Sequence, residues 1–235
     1  SGDYETLSKK MRYQFSIDGE TNWTDFGEDL RKADLTPGST YYIRGVYRDE
    51  VEGETVAVTT YPIIDLENGN LDEVTNTDSN RNYGEIYSWA GWSTLNELTC
   101  DNAIGTACWY NSRSGAQPVD GAIWIATIGW GYGSTNWDIF GGDSGTIKYI
   151  TPGELFLGSL TNVDHTDDTA TKNYGIEYNS HPTSVKFKYK YIPYDGDYAE
   201  IYVKILHNDI VLGDALFQPN QQISDWTAAE LEINY

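Results

Sequence analysis

Residues 185–205 read VKFKYKYIPYDGDYAEIYVKI, and their spacing decides the fold class. Val185, Phe187, Tyr189 and Tyr191 alternate with Lys186, Lys188 and Lys190, and Ala199, Ile201, Val203 and Ile205 repeat the rhythm. A period of two belongs to strands with one face in a core and one in water. Between the two runs, Pro193 to Tyr198 supplies turn residues. The stretch therefore predicts a β-hairpin. In it Lys188 or Lys190 would lie across from Glu200, worth roughly a few tenths of a kcal/mol in water.

Further short strands are expected at GELFLG (153–158), NDIVLGDALF (208–217) and AELEINY (229–235). AIWIATI (122–128) is apolar on both faces, as a strand buried in a sandwich would be. No helix longer than a turn or two is expected, and no repeat of fixed period stands out. Composition agrees, since 19 Tyr, 8 Trp and 23 Gly against one Met suit pleated, half-buried surfaces and tight turns. The fold class read from these features is all-β, a sandwich or jelly roll.

The chain of 235 residues carries 36 Asp and Glu against 15 Lys and Arg, a formal charge of −21. Such a surface repels phosphate backbones and acidic membranes, so nucleic acid is disfavoured as a partner. Neutral glycans, cations and basic proteins remain. No apolar run approaches the roughly 18 residues that span a bilayer, and no signal peptide stands at the N-terminus. The Ser-Gly-Asp opening is expected of a processed or recombinant product whose export signal is already gone. Cys100 and Cys108 would close a small loop in an exported protein and stay thiols in a reducing compartment; the composition favours export and the disulfide. His165, His181 and His207 lie too far apart for a local ligand motif.

Residues 1–62 form a unit of their own. RYQFSI (12–17) puts Tyr13, Phe15 and Ile17 on one face, LTPGSTYYIRGVY (35–47) does the same with Tyr41, Ile43 and Tyr47, and VEGETVAVTTYP (51–62) adds a last strand. The segments DGETNW (18–23) and LTPGSTYYIRG (35–45) resemble the second half of a fibronectin type III module, an immunoglobulin-like sandwich. The resemblance implies that Tyr41 is the corner tyrosine with Leu35 beneath it. About ten residues precede RYQFSI, too few for that family's two opening strands and their tryptophan. A sandwich of this kind takes about 100 residues, so the module is expected to be truncated, degenerate or completed by another chain.

From Ile64 the texture changes. PGELFLGSL (152–160) and NYGIEYNSHPTSVKFKYKYIPYDGDYAEIYVKI (173–205) resemble the carbohydrate metabolism domain of surface and secreted proteins of gut-dwelling bacteria. Shared with that family are the strand Gly153 to Gly158, the strand His181 to Tyr191, the following turn Pro193 to Val203, and an opening from Leu66 to Asn96. The resemblance covers residues 63–235 and implies a jelly-roll β-sandwich on a surface lipoprotein. It brings no catalytic residues. Family members continue beyond the strand that corresponds to Trp226 to Tyr235, so a missing last strand would leave a sheet edge open to a partner strand.

TIGWGYGSTNWDIFGGDSG (127–145) is the candidate site. Its Gly-Asp-Ser-Gly imitates a serine-protease nucleophile, but the first histidine, His165, follows Ser144, and that fold needs its general base upstream. Its glycine spacing imitates a phosphate loop, but no helical period and no lysine follow. What remains is a sugar platform or a structural loop. Sugar C–H faces stack on aromatic rings while Asp and Asn take hydroxyls. Trp130, Tyr132 and Trp137 are the candidate stackers, Asn136 and Asp138 the rim, and Trp92 a fourth ring; the competing role for such tryptophans is core packing. Asp138, Asp143 and Glu154 are the nearest carboxylates for glycoside hydrolysis, which needs a close pair. DHTDD (164–168) and YDGD (194–197) offer calcium oxygens without EF-hand spacing. The sequence thus leads to a non-catalytic glycan-binding or adhesion protein of a bacterial surface. A glycoside hydrolase and a strand-pairing structural subunit are the alternatives.

Overall fold

Glycine- and aspartate-rich turns fold the alternating segments back on one another throughout. The computed structural model describes residues 9–76, 85–100, 113–130, 149–164 and 167–235. Strands take 51% and helix 2% of these, and the protein is all-β with several antiparallel sheets. Two units form: Ser1–Ile64 together with Asn179–Tyr235, and Asp65–Tyr178.

The N-terminal sheet contains β1 (Met11–Ser16), β2 (Thr24–Asp25), β3 (Thr40–Tyr47), β4 (Val51–Glu52) and β5 (Val56–Thr59), in the order β2-β1-β3-β4 with β5 also on β3. Phe15 lies opposite Ile43, and Ile43 opposite Val56, so the apolar residues of three strands share one face. Phe26 packs edge-on against Phe15, with ring centroids 5.6 Å apart. On this face Tyr13, Val56 and Val58 remain exposed. The opposite face is a charged lattice in which Arg12 meets Asp25 and Asp49, and Arg44 meets Glu52 and lies over Trp23. Asp18 organises the β1–β2 turn by accepting from Thr21 N–H at 2.8 Å, Glu20 N–H at 3.0 Å and Ser16 Oγ–H at 2.7 Å. The Tyr41 hydroxyl accepts from Thr36 N–H at 2.9 Å, a bond from ring to upstream backbone of the tyrosine-corner kind.

The second unit runs from β6 (Val74–Asn76) through β7 (Tyr87–Trp89), β8 (Trp92–Thr94), the short α1 (Asn96–Thr99), β9 (Ala116–Val119), β10 (Ala122–Ile125), β11 (Ile128–Trp130), β12 (Tyr149–Thr151) and β13 (Leu155–Asp164) to β14 (Thr169–Tyr174). Its main sheet has the order β14-β13-β8-β7-β6, while β9 pairs with β10 and β11 with β12. Leu98, Ile128 and Trp130 are its buried core, with Tyr149, Val163 and Ala170 against them. Asn96 is buried and fully engaged: Nδ2 donates to Tyr87 O and Ala116 O, and Oδ1 accepts from Ala116 N–H. Gly158 sits at φ +137° where β13 passes from β8 to β14; a Cβ there would run into Asn173 O. The expected fully buried strand at 122–128 is corrected by these strands. β10 ends at Ile125, and Trp124 is 44% exposed; only from Ile128 is the chain buried.

The C-terminal strands are β15 (Ser184–Tyr191), β16 (Ile201–His207), β17 (Ile210–Phe217) and β18 (Ile223–Glu232). The expected hairpin of β15 with β16 does not form: β15 pairs with β18, and β16 with β17. The connection 192–200 exceeds the two to five residues of tight hairpins. It arches instead from one strand pair to the other. Phe187 of β15 packs with Ile201, Val203 and Ile205 of β16 and Phe217 of β17 around buried Ala215, Leu231 and Ile233. Phe217 holds Phe187 at 5.4 Å and Tyr189 at 5.1 Å, edge to face. The parity of every inward residue is as expected; only the neighbour differs. Lys188 consequently faces Ala228, and Glu200 instead reaches Gln218.

Candidate functional site

Trp130 is a core residue. Its ring is 0% exposed and lies 4.8 Å from that of Tyr149, and its Nε1–H donates to Thr151 Oγ1 at 2.9 Å. Thr151 in turn donates to Asp168 at 2.9 Å, which leads the polar end of the buried indole out to a carboxylate. A ring with no exposed face cannot stack on a sugar, so the expected role of Trp130 is corrected to packing. Tyr132, Asn136, Trp137 and Asp138 lie outside the described residues, as do Asp143, Ser144 and His165. Trp92 is half-buried, and its Nε1–H donates to Asn68 O at 3.2 Å, tying β8 to the turn that opens this unit. Cys100 is buried just after α1, with Sγ 3.6 Å from Ser114 Oγ; Cys108 lies outside the described residues.

Glu154, the described member of the three candidate carboxylates, has a cation and a hydroxyl for company. Lys172 Nζ lies 2.7 Å from Oε2, and the Tyr174 hydroxyl donates to Oε1 at 2.6 Å. Burial works to lower Lys172, but Glu154 and Tyr174 outweigh it and hold the ammonium above its ordinary value. Burial first and then Glu154 raise the Tyr174 phenol. Among the described residues no group of three or more His, Cys, Asp or Glu gathers as a metal would require, and no helix is long and apolar enough to cross a membrane.

Exposed aromatics occur elsewhere, on the bulged part of β18 and on the arch that follows β15. Tyr189 pairs with Thr227 and Tyr191 with Ile223, so residues 224–226 bulge opposite Lys190. A bulge re-aims the side chains it carries. Trp226 stands on this one, 52% exposed, with Lys190 Nζ 5.1 Å from its ring centroid. The arch that leaves β15 begins beside it. There Asp195 and Gly196 both take positive φ, as a tight turn demands, and leave Tyr194 84% and Tyr198 60% exposed. Asp197 locks the arch by accepting from Tyr194 N–H at 3.0 Å and from the Tyr191 hydroxyl. Desolvation and then Asp197 raise the Tyr191 phenol to about 12. Tyr194 and Tyr198 are thus displayed on the same arch as Asp195 and Asp197, and Trp226, on the bulge opposite Lys190, carries an ammonium at its ring. That combination can stack a sugar and take its hydroxyls.

The sequence marks the arch as a turn, with YDGD (194–197) as candidate calcium oxygens, and gives Trp226 no binding role. The one signal was a tryptophan set in the polar run QQISDWT (221–227) with no apolar alternation to place it inward. Comparison of the chain with protein-family models, curated proteins and solved structures yields no match.

Proposed function

We propose that the protein is a non-catalytic glycan-binding or adhesion protein of a bacterial cell surface, and that Trp226, Tyr194 and Tyr198 form its sugar platform. The observation that carries the proposal is the exposure of these rings, Trp226 with Lys190 over it on the bulge of β18 and the two tyrosines on the arch that follows β15. The surface location follows from the family resemblance, whereas the jelly roll it implies for residues 63–235 runs across the division between Asp65–Tyr178 and Asn179–Tyr235. A fibronectin-like N-terminal module is supported further by the Tyr41 hydroxyl bond to Thr36 N–H. The test is a glycan array followed by titration of intrinsic fluorescence. A bound oligosaccharide should quench tryptophan emission without release of reducing ends. Unchanged affinity in a folded Trp226→Ala, Tyr194→Ala double variant would remove this platform.

An assembly role, through a sheet face, is the second reading. It is favoured by the apolar side chains Tyr13, Val56 and Val58 left in solvent on one face of the N-terminal sheet. A concentration-dependent mass in solution, abolished by Val56→Lys with Val58→Lys, would favour it over glycan binding.

A further inference from the structure

The chain is strongly acidic, yet three of its cations stand in one row. Lys186, Lys188 and Lys190 all project from the exposed face of β15. Their surroundings differ. Lys186 Nζ lies 3.5 Å from Glu230 Oε1, which also accepts from Ser184 Oγ–H at 2.7 Å, so this charge is answered within the sheet. Lys188 faces Ala228 and, among the described residues, has neither ion pair nor hydrogen bond. Among the described residues Lys190 meets the indole of Trp226, a contact that leaves its charge in place. The strand positions of Lys188 and Lys190 are about 7 Å apart, and Lys190 borders the half-exposed Trp226 ring.

We propose that this surface takes an acidic saccharide. The sugar ring rests on Trp226, and its carboxylate or sulfate group meets Lys190 and Lys188. The proposal rests on the glycan-binding reading above and adds the charge of the ligand to it. Charge complementarity supports it twice over. The lysine row attracts an anion, while the formal charge of −21 on the chain repels the same anion from other surfaces. A polyanionic glycan is thereby steered to one place rather than held everywhere. Lysine is a point charge without the planar fork of arginine, so an anionic substituent is recognised by its charge and position, whether carboxylate or sulfate. Asp195, in the arch, is left to accept from uncharged hydroxyls, while Asp197 holds the arch itself.

Calorimetry with four probes tests this: galactan and galacturonan oligosaccharides of equal length, dextran sulfate, and poly-glutamate. Wild type, Lys188→Gln, Lys190→Gln and Trp226→Ala are compared at low and raised salt. Galacturonan or dextran sulfate should bind more tightly than galactan, and which of them does so names the anionic group. Each lysine substitution should weaken acidic binding about two- to fivefold and leave galactan unchanged; raised salt should act in the same direction. Equal affinity for galactan and galacturonan, with both lysine variants silent, would refute the acidic ligand while leaving glycan binding standing. Poly-glutamate bound as tightly as the sugars and indifferent to Trp226→Ala would show a simple polyanion surface and overturn the saccharide. Failure of every sugar would overturn both proposals together.

Discussion

Replacing Trp130 and Trp226 by alanine, one at a time, should part stability from binding. Trp130 is fully buried, and truncating such a side chain costs about 3–5 kcal/mol. In a unit the size of Asp65–Tyr178, each kcal/mol lowers Tm by roughly 4 °C, so Trp130→Ala should melt about 12 °C or more below wild type. Trp130→Phe keeps most of the volume but loses the Nε1–H bond to Thr151, at about 1 kcal/mol. Trp226 is 52% exposed, and its contact with Lys190 is worth about 0.5–1 kcal/mol, which shifts Tm by only a few degrees. Its effect belongs to binding. A tryptophan offers about 200 Å², of which about half is exposed here. A sugar covering one side would bury about 50 Å², or about 1.3 kcal/mol at 25 cal/mol per Å², a nearly tenfold loss of affinity on truncation. Thermal unfolding by circular dichroism and titration of a bound glycan read the two effects separately. A Trp130→Ala protein with wild-type Tm and lost binding would put that indole at the surface and refute the assignment of core and platform.

Other predictions follow from single contacts. Asn96→Ala strands two carbonyls and one N–H in the interior; at about 1–3 kcal/mol for each unsatisfied group, chemical denaturation should show a loss of about 3 kcal/mol or more. Tyr191 should titrate near 12, and Asp197→Asn should bring it back toward 10 in an ultraviolet pH titration. Because folding raises this phenol, its stabilisation is complete below about pH 10 and disappears as pH climbs through about 12. Asp18 is held well below the usual carboxylate range by Thr21 and Ser16. Its contribution is present above about pH 4 and is lost only as pH falls through the depressed value; carboxyl carbon NMR should find Asp18 still ionised when exposed aspartates have protonated.

Strands and inward faces were legible because parity is written residue by residue. Phe187 and Ile201 face inward where their alternation puts them, whereas in β1 and β3 the buried residues are Gln14, Ser16 and Val46 of the face opposite Phe15 and Ile43. Pairing was not legible. Two strands opposed across a core show the same parity as two strands side by side, and only the length of 192–200 hinted that β15 and β16 belong to different pairs. The candidate site suffered from a related ambiguity. Glycines around Trp130 are compatible with a displayed ring or with a backbone packed close, and the hydrogen bond to Thr151 that settles the matter joins residues 21 apart. Trp226 shares the outward parity of Ala228 and Glu230, but its neighbour Lys190 is fixed only by the bulged register of β15 with β18, which the sequence does not show.

The register of β15 with β18 has a mechanical side. Ser184 and Glu232 form one rung at the end where the chain enters β15 and leaves β18. Tension applied to the chain on both sides of that rung therefore opens the ladder like a zipper, one pair at a time, instead of shearing all its hydrogen bonds together. The first ties to yield are those beside the rung: Ile233 N–H to Thr183 O, the Tyr235 hydroxyl to Pro182 O, and the paired backbone groups of Asp214 and Asn234. The rungs at Tyr189 and Tyr191, beside Trp226 and the arch, are the last. Pulled in this way, the strand pair pays out length at low force while its aromatic end keeps its shape until the zipper has nearly run out.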